Sequence, residues 1–185
     1  MEYGQLIDLW TNAFNMLYQK DIVLFDNDAQ ERTIAGRLAM YLQFKYDPHF
    51  EKDECIDLEY NREGDDIKRP YPTDEDGWIA PDILLHVRRK NINIFNCEVK
   101  KDSSSNNNDS DRVKNSIKDR HYQYGLNLYA LNKDCAKLTI YTQADGCVKG
   151  RNYVYTPIDK KLQPVGRVQC WNRNDQRKWY VLKTN

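Results

Sequence analysis

The sequence is poor in the groups that staple small proteins together. Its three histidines and five cysteines (Cys55, Cys97, Cys135, Cys147 and Cys170) are scattered, with no Cys-x-x-Cys. A structural zinc site or a disulfide framework is therefore not expected, and reduced, mostly buried thiols are. No apolar run approaches the roughly 20 residues of a membrane span, and Met1-Glu2-Tyr3-Gly4-Gln5 does not read as a secretion signal. The expectation is a soluble, cytoplasmic protein with no membrane contact. Net charge is also lacking, since 28 Lys and Arg balance 28 Asp and Glu. No RNA-binding signature of the usual kinds is visible.

The balance is uneven along the chain. Residues 147–185 hold nine basic and two acidic residues, against nineteen and twenty-six in residues 1–146. A basic face for phosphates and a solvated basic sheet edge both fit this split. At 185 residues, with 40% hydrophobic and 12% aromatic content, the chain is expected to form one domain around one core.

Periodicity supplies the elements. Leu6, Trp10, Ala13, Phe14 and Leu17 predict an amphipathic helix over 4–19. Asp26-Asn27-Asp28 offers an N-cap to a second helix whose stripe is Ile34, Ala35, Leu38, Tyr41 and Leu42. Residues 47–76 hold twelve acidic and four basic residues around one alternating strand, Cys55-Ile56-Asp57-Leu58-Glu59-Tyr60. A low-complexity loop is expected over 102–111, as a passive linker or a flap, and then a helix over 112–131 carrying Ile117, His121, Tyr124, Leu128 and Leu131. Residues 138–142 then predict a strand parallel to the one at 92–99. Strands are also expected near 152–156, 166–171 and 178–183, interleaved with Tyr153, Tyr155, Trp171, Trp179 and Tyr180. Those aromatics suit base stacking or, more commonly, the packing of a small sheet.

The stretch from Pro81 to Lys101 carries the chemistry. Residues 83–87 and 92–99 are short and rich in Ile, Leu, Val and Phe, with polar Arg88 to Asn91 between them, which predicts a β-hairpin. With the turn centred near Lys90, residue i faces residue 180 − i and Asp82 faces Glu98. Opposed residues hold their Cβ atoms roughly 4.5–5.5 Å apart, where like charges are destabilising. Alternation puts Glu98 and Lys100 on one face, expected to be open, and Phe95, Cys97 and Val99 on the buried one. Asp82, Glu98 and the Val99 carbonyl make an oxygen-rich site suited to Mg²⁺ or Mn²⁺, with Lys100 beside it for an anion. Glu31 is a further ligand or a helix-capping residue. Asp57 or Glu59 faces the site or solvent.

Pro81-Asp82 followed by Glu98-Val99-Lys100 resembles the signature of the PD-(D/E)xK nuclease superfamily. Glu31-Arg32 at the head of a helix, and Asp57-Leu58-Glu59-Tyr60-Asn61-Arg62 before the hairpin, extend the likeness over 28–145. The resemblance implies an α/β fold with a restriction-endonuclease-like core, a mixed central sheet flanked by helices, here followed by a basic antiparallel extension over 147–185. It implies a Mg²⁺- or Mn²⁺-dependent endonuclease hydrolysing DNA, with Asp82, Glu98 and Lys100 catalytic. Asp82, Glu98, Val99 and Glu31 would hold metal, and Lys101, Lys114, Arg88 and Gln123 would meet the substrate. Some relatives place a tyrosine four residues after the glutamine of the crossover helix. Here Gln123 is followed by Asn127. The likeness also implies homodimers that cut both strands. RNA in place of DNA, or a nuclease fold that binds a partner without catalysis, are the competing readings.

Overall fold

Two apolar stripes at helical spacing become two packed helices. The computed structural model describes residues 1–46, 53–63, 66–67, 80–101, 107–171 and 180–181. Helix α1 (Tyr3–Lys20) buries Leu6, Trp10, Ala13, Phe14 and Leu17, the residues that predicted it. After the single turn of α2 (Val23–Asp26), helix α3 (Glu31–Tyr46) buries Ile34, Ala35, Leu38, Tyr41 and Leu42.

The strands follow as β1 (Glu54–Leu58), the two-residue strands β2 (Arg62–Glu63) and β3 (Asp66–Ile67), β4 (Ile83–Val87) and β5 (Ile92–Val99). Helix α4 (Asn107–Asp119) then leads to β6 (Tyr124–Tyr129), β7 (Ala136–Ala144), β8 (Cys147–Tyr155), β9 (Leu162–Trp171) and β10 (Tyr180–Val181). Apart from the separate β2–β3 pair, these strands make one sheet in the order β1-β4-β5-β6-β7-β8-β9-β10. Among the described strands of this sheet only β5 and β6 pair in parallel, so the sheet is mixed, as expected.

Each face of the sheet has its own core. On one, α1 and α3 cover Ile83, Leu85, Phe95, Cys97, Val99, Leu126 and Leu128, with the Trp10 ring 5.7 Å from Phe95. On the other, α4 sets Val113 and Ile117 on Leu84, Tyr122, Tyr141 and Val148. The hairpin face expected to be open is thus roofed by α4, and Glu98 is only 7% exposed.

Three further expectations are corrected. The helix placed at 112–131 starts earlier, at Asn107, and stops at Asp119, where His121 at φ +55° turns the chain. Tyr124 and Leu128 lie four residues apart, a spacing that suits one helix face and one strand face alike. The alternation Tyr124, Leu126, Leu128 decides for the strand, and all three enter the α1–α3 core. The parallel partner of β5 is therefore β6, and residues 138–142 belong to β7, antiparallel to β6. The cysteines are not all thiols either, because Cys147 on β8 and Cys170 on β9 form a disulfide.

Tyr153 and Tyr155 are buried, bonded through their hydroxyls to Tyr3 and Asn15, so the sheet rather than a base takes them. The loop at 102–106, the turn at 172–175 and Trp179 lie outside the described residues.

Gly125 lets α4 approach. A Cβ there would lie 2.5 Å from Val113 Cγ1 and 2.9 Å from the Val113 carbonyl oxygen. Gly125→Ala must therefore push the helix off the sheet. The expected cost is about 1–3 kcal/mol, a fall in Tm of roughly 2–4 °C per kcal/mol for a chain of this size. Thermal unfolding checks it, and an unchanged Tm would show that α4 gives way freely.

Candidate metal centre

The hairpin register brings the two carboxylates together. Ile83 pairs with Cys97, Leu84 with Asn96 and Leu85 with Phe95. A register shift between Leu85 and His86 displaces the pairing at the turn, but the site end keeps the register expected from the sequence. One step further, Asp82 stands opposite Glu98. The Val99 N–H donates to Asp82 Oδ2 at 2.7 Å, which fixes the carboxylate against the end of β5.

Neither acid is at ease. Burial pushes the Asp82 carboxyl above its ordinary value, Glu31 and Asp109 adding to this against the Val99 N–H and Lys100. Burial raises Glu98 well above the carboxylate range, with Asp82 and Asp109 adding repulsion that Arg112 and Lys100 only partly offset. Two carboxyls in this condition favour holding a proton or sharing a cation.

Glu31, in the first turn of α3, does reach the site. Its Oε1 accepts from Lys100 Nζ at 2.9 Å and its Oε2 from the Lys101 N–H at 2.9 Å. Burial alone would lower the Lys100 ammonium, but the Glu31 bond together with the charges of Glu31, Asp82 and Asp109 outweighs it and raises its pKa. The lysine is held charged. Lys101 Nζ turns away to Asp28 Oδ1 at 2.5 Å and the Ala29 carbonyl at 2.7 Å, tying β5 to the approach to α3. Beside Asp82 a cleft of about 550 Å³ is lined by Glu31, Arg32, Leu58 and Glu59.

The other expected residues fall elsewhere. Glu59 pairs with Arg32 across the cleft. Lys114 faces inward and is 1% exposed, with Nζ 3.0 Å from Asp111 Oδ1 and over the Tyr141 ring, so no phosphate reaches it. Gln123 holds the N-terminus, exchanging bonds with the Met1 amine and carbonyl. Arg88, at the turn end of the hairpin, is bound to Asp57.

Asp57 belongs to that distant end. Its carboxylate, His86 and the Cys55 thiol present ligand atoms within 4.8 Å of one another, an arrangement able to hold a metal ion. The carboxylate is already served by Arg88 Nε at 2.8 Å and His86 Nε2 at 2.9 Å. Burial alone would raise the Asp57 carboxyl, yet Arg88 and His86 outweigh it and hold it far below the usual range. A group lowered in this way adds stability above its unfolded value of about 3.9, and that stability is lost as pH falls toward the folded value. Asp57→Asn should cost about 1–3 kcal/mol at neutral pH, nearer the lower figure because the guanidinium is exposed. It should also remove part of the acid sensitivity. Urea unfolding at pH 7 and pH 3 checks this, and equal losses at both would rule out the ionised pair.

Two residues not singled out in the sequence complete the picture. Asp109, in the first turn of α4, is 5% exposed, and its Oδ2 has no hydrogen-bond partner among the described residues. Asn127 on β6 is the register partner of Glu98, is 1% exposed, and leaves its Oδ1 without a hydrogen-bond partner among the described residues, while Nδ2 donates to Ser110 Oγ at 2.9 Å. A legible signal existed for Asp109: it lies four residues before Val113 and eight before Ile117, on the stripe that α4 turns to the sheet.

No helix among the described residues is long and apolar enough to cross a membrane. Compared with protein-family models, with curated proteins and with solved structures, the chain matches none.

Proposed function

We propose that the chain is a divalent-metal-dependent endonuclease that hydrolyses DNA phosphodiester bonds. The observation that carries this reading is the meeting of Asp82 and Glu98 at the end of one hairpin, both with raised pKa, next to a lysine held charged by Glu31. The order α3, β1, β4, β5, α4, β6, with an antiparallel β1-β4-β5 meander and β6 parallel to β5, supports a restriction-endonuclease-like core.

The donors fit a hard cation, being carboxylate oxygens and, at the strand end, the Val99 carbonyl. Such an ion, when bound, supplies an acidified water and charge stabilisation at the phosphoryl group. Asp82 and Glu98 would hold it, and Asp82 is oriented for this by the Val99 N–H. Lys100, kept protonated, serves as a fixed positive charge for the phosphoryl oxygens and orients the attacking water. Glu31 positions that ammonium and stands ready as a further ligand. Arg32, in the cleft wall and paired with Glu59, would meet the DNA backbone.

Incubation with supercoiled plasmid, single-stranded DNA and RNA, each with Mn²⁺ and with EDTA, tests the proposal. Nicked or linear plasmid with Mn²⁺ and none with EDTA is the expected result. Cleavage of RNA alone would change the substrate class, and no cleavage of any substrate would overturn the reading.

A further inference from the structure

We propose that Asp109 and Asn127 form the inner wall of the metal centre, with Asp109 Oδ2 and Asn127 Oδ1 ligating, from the α4 side, a cation that Glu98 shares. The inference rests on reading Asp82 and Glu98 as a metal site and adds two ligands from outside that hairpin.

Buried polar atoms in folded proteins are almost always hydrogen-bonded, and an orphan costs roughly 1–3 kcal/mol, more if charged. Here two orphan oxygens occur on side chains that are 5% and 1% exposed. They flank the same residue. Asn127 is the ladder partner of Glu98, and its Nδ2 bond to Ser110 Oγ sets the first turn of α4 over that pair. Asp109 immediately precedes Ser110 in the first turn of α4, so it lies on the α4 side of the sheet, the face that Glu98 and Asn127 share.

Among the described residues no side chain donates a hydrogen bond to Asp109 Oδ2. Arg112 Nη1 lies 3.9 Å from Asp109 Oδ1, beyond hydrogen-bond reach, and on the oxygen opposite the orphan. Lys100 is committed to Glu31. A first-turn aspartate normally serves the helix N-terminus, but Oδ2 makes no such bond among the described residues. Glu98, Asp109 and Asn127, drawn from β5, α4 and β6 and shut off from water, offer two carboxyls and an amide oxygen, donors suited to a hard divalent cation.

Calorimetric titration of the full chain with Mn²⁺, comparing the unaltered protein with Asp82→Asn and Asp109→Asn, tests this. Asp109→Asn keeps the shape and removes the charge. It should weaken Mn²⁺ binding about 10- to 100-fold, the scale seen when supporting groups of a metal site are lost, and raise the Tm of the metal-free protein. If the unaltered protein binds Mn²⁺, Asp82→Asn weakens it and Asp109→Asn does not, the inference falls and the metal reading of the hairpin stands. If the unaltered protein binds no Mn²⁺, both fall. A lower Tm for Asp109→Asn with unchanged Mn²⁺ affinity would mark Asp109 as a helix cap and overturn its role as a ligand.

Discussion

Asp82→Asn is expected to abolish Mn²⁺-dependent plasmid cleavage, and Lys100→Met to lower it roughly 10²- to 10⁴-fold, the range for a positioned acid–base or charge-stabilising group. Asparagine suits the first test because its amide oxygen still accepts from the Val99 N–H, a bond of 2.7 Å that alanine would lose. A folded but inactive Asp82→Asn protein would then report on the metal-holding charge and not on the strand end. Methionine suits the second because it keeps the stem of a side chain that is partly buried. Lys100 has a reference pKa of about 10.4, raised further by Glu31. It cannot serve as a base near neutrality, so cleavage should show no lysine-dependent rise with pH between 6 and 9. Glu31→Gln loosens that hold while preserving shape, and should lower the rate less than Lys100→Met does. Wild-type rates for both Asp82→Asn and Lys100→Met would remove the site assignment altogether.

How much of this was legible in the sequence varied with how local the physics was. The hairpin was read correctly because short apolar runs around Arg88–Asn91 leave one pairing that keeps Phe95 and Cys97 facing the core, and the bulge at Leu85/His86 perturbs only the turn end. The opposition of Asp82 and Glu98 followed from that register. What sequence could not supply was the second cover on the sheet. Asn96 and Glu98 look solvent-facing by alternation, and only the packing of α4 through Gly125 buries them. The same omission hid Lys114, a lysine that reads as surface until Tyr141 and Asp111 are seen beside it. Spacings of four residues misled at Tyr124 and Leu128, and the Cys147–Cys170 bridge depends on a β8–β9 register that no local pattern encodes. Asp109 was lost in a polar run, though its place on the Val113–Ile117 stripe was readable.

Glu98→Gln should stabilise the metal-free protein at alkaline pH and erase its stabilisation by Mn²⁺. The sign follows from proton counting. Glu98 is pushed well above its ordinary value by burial and by Asp82 and Asp109. Above the unfolded value of about 4.3 the unfolded chain gives up this proton while the folded one retains it. The folded state then binds more protons, so stability falls as pH rises, by up to about 1.4 kcal/mol per pH unit for one such group, until the folded value is passed. Asp82, also raised, acts in the same direction. A bound divalent ion replaces the proton, so the increment from Mn²⁺ should grow with pH, reaching about 2.7 kcal/mol when the free ion is at 100 times its Kd. Glutamine carries no proton to lose and no charge to share. Its unfolding free energy should therefore be flatter with pH, exceed that of the unaltered protein at pH 8 without metal, and respond little to Mn²⁺. Urea unfolding at pH 5.5, 7 and 8.5, with and without Mn²⁺, reads all three. A Glu98→Gln protein that is less stable than the unaltered one at pH 8.5 without metal would mean that the carboxylate is already satisfied by protein groups, and the case for a cation at Glu98 would lose its physical basis.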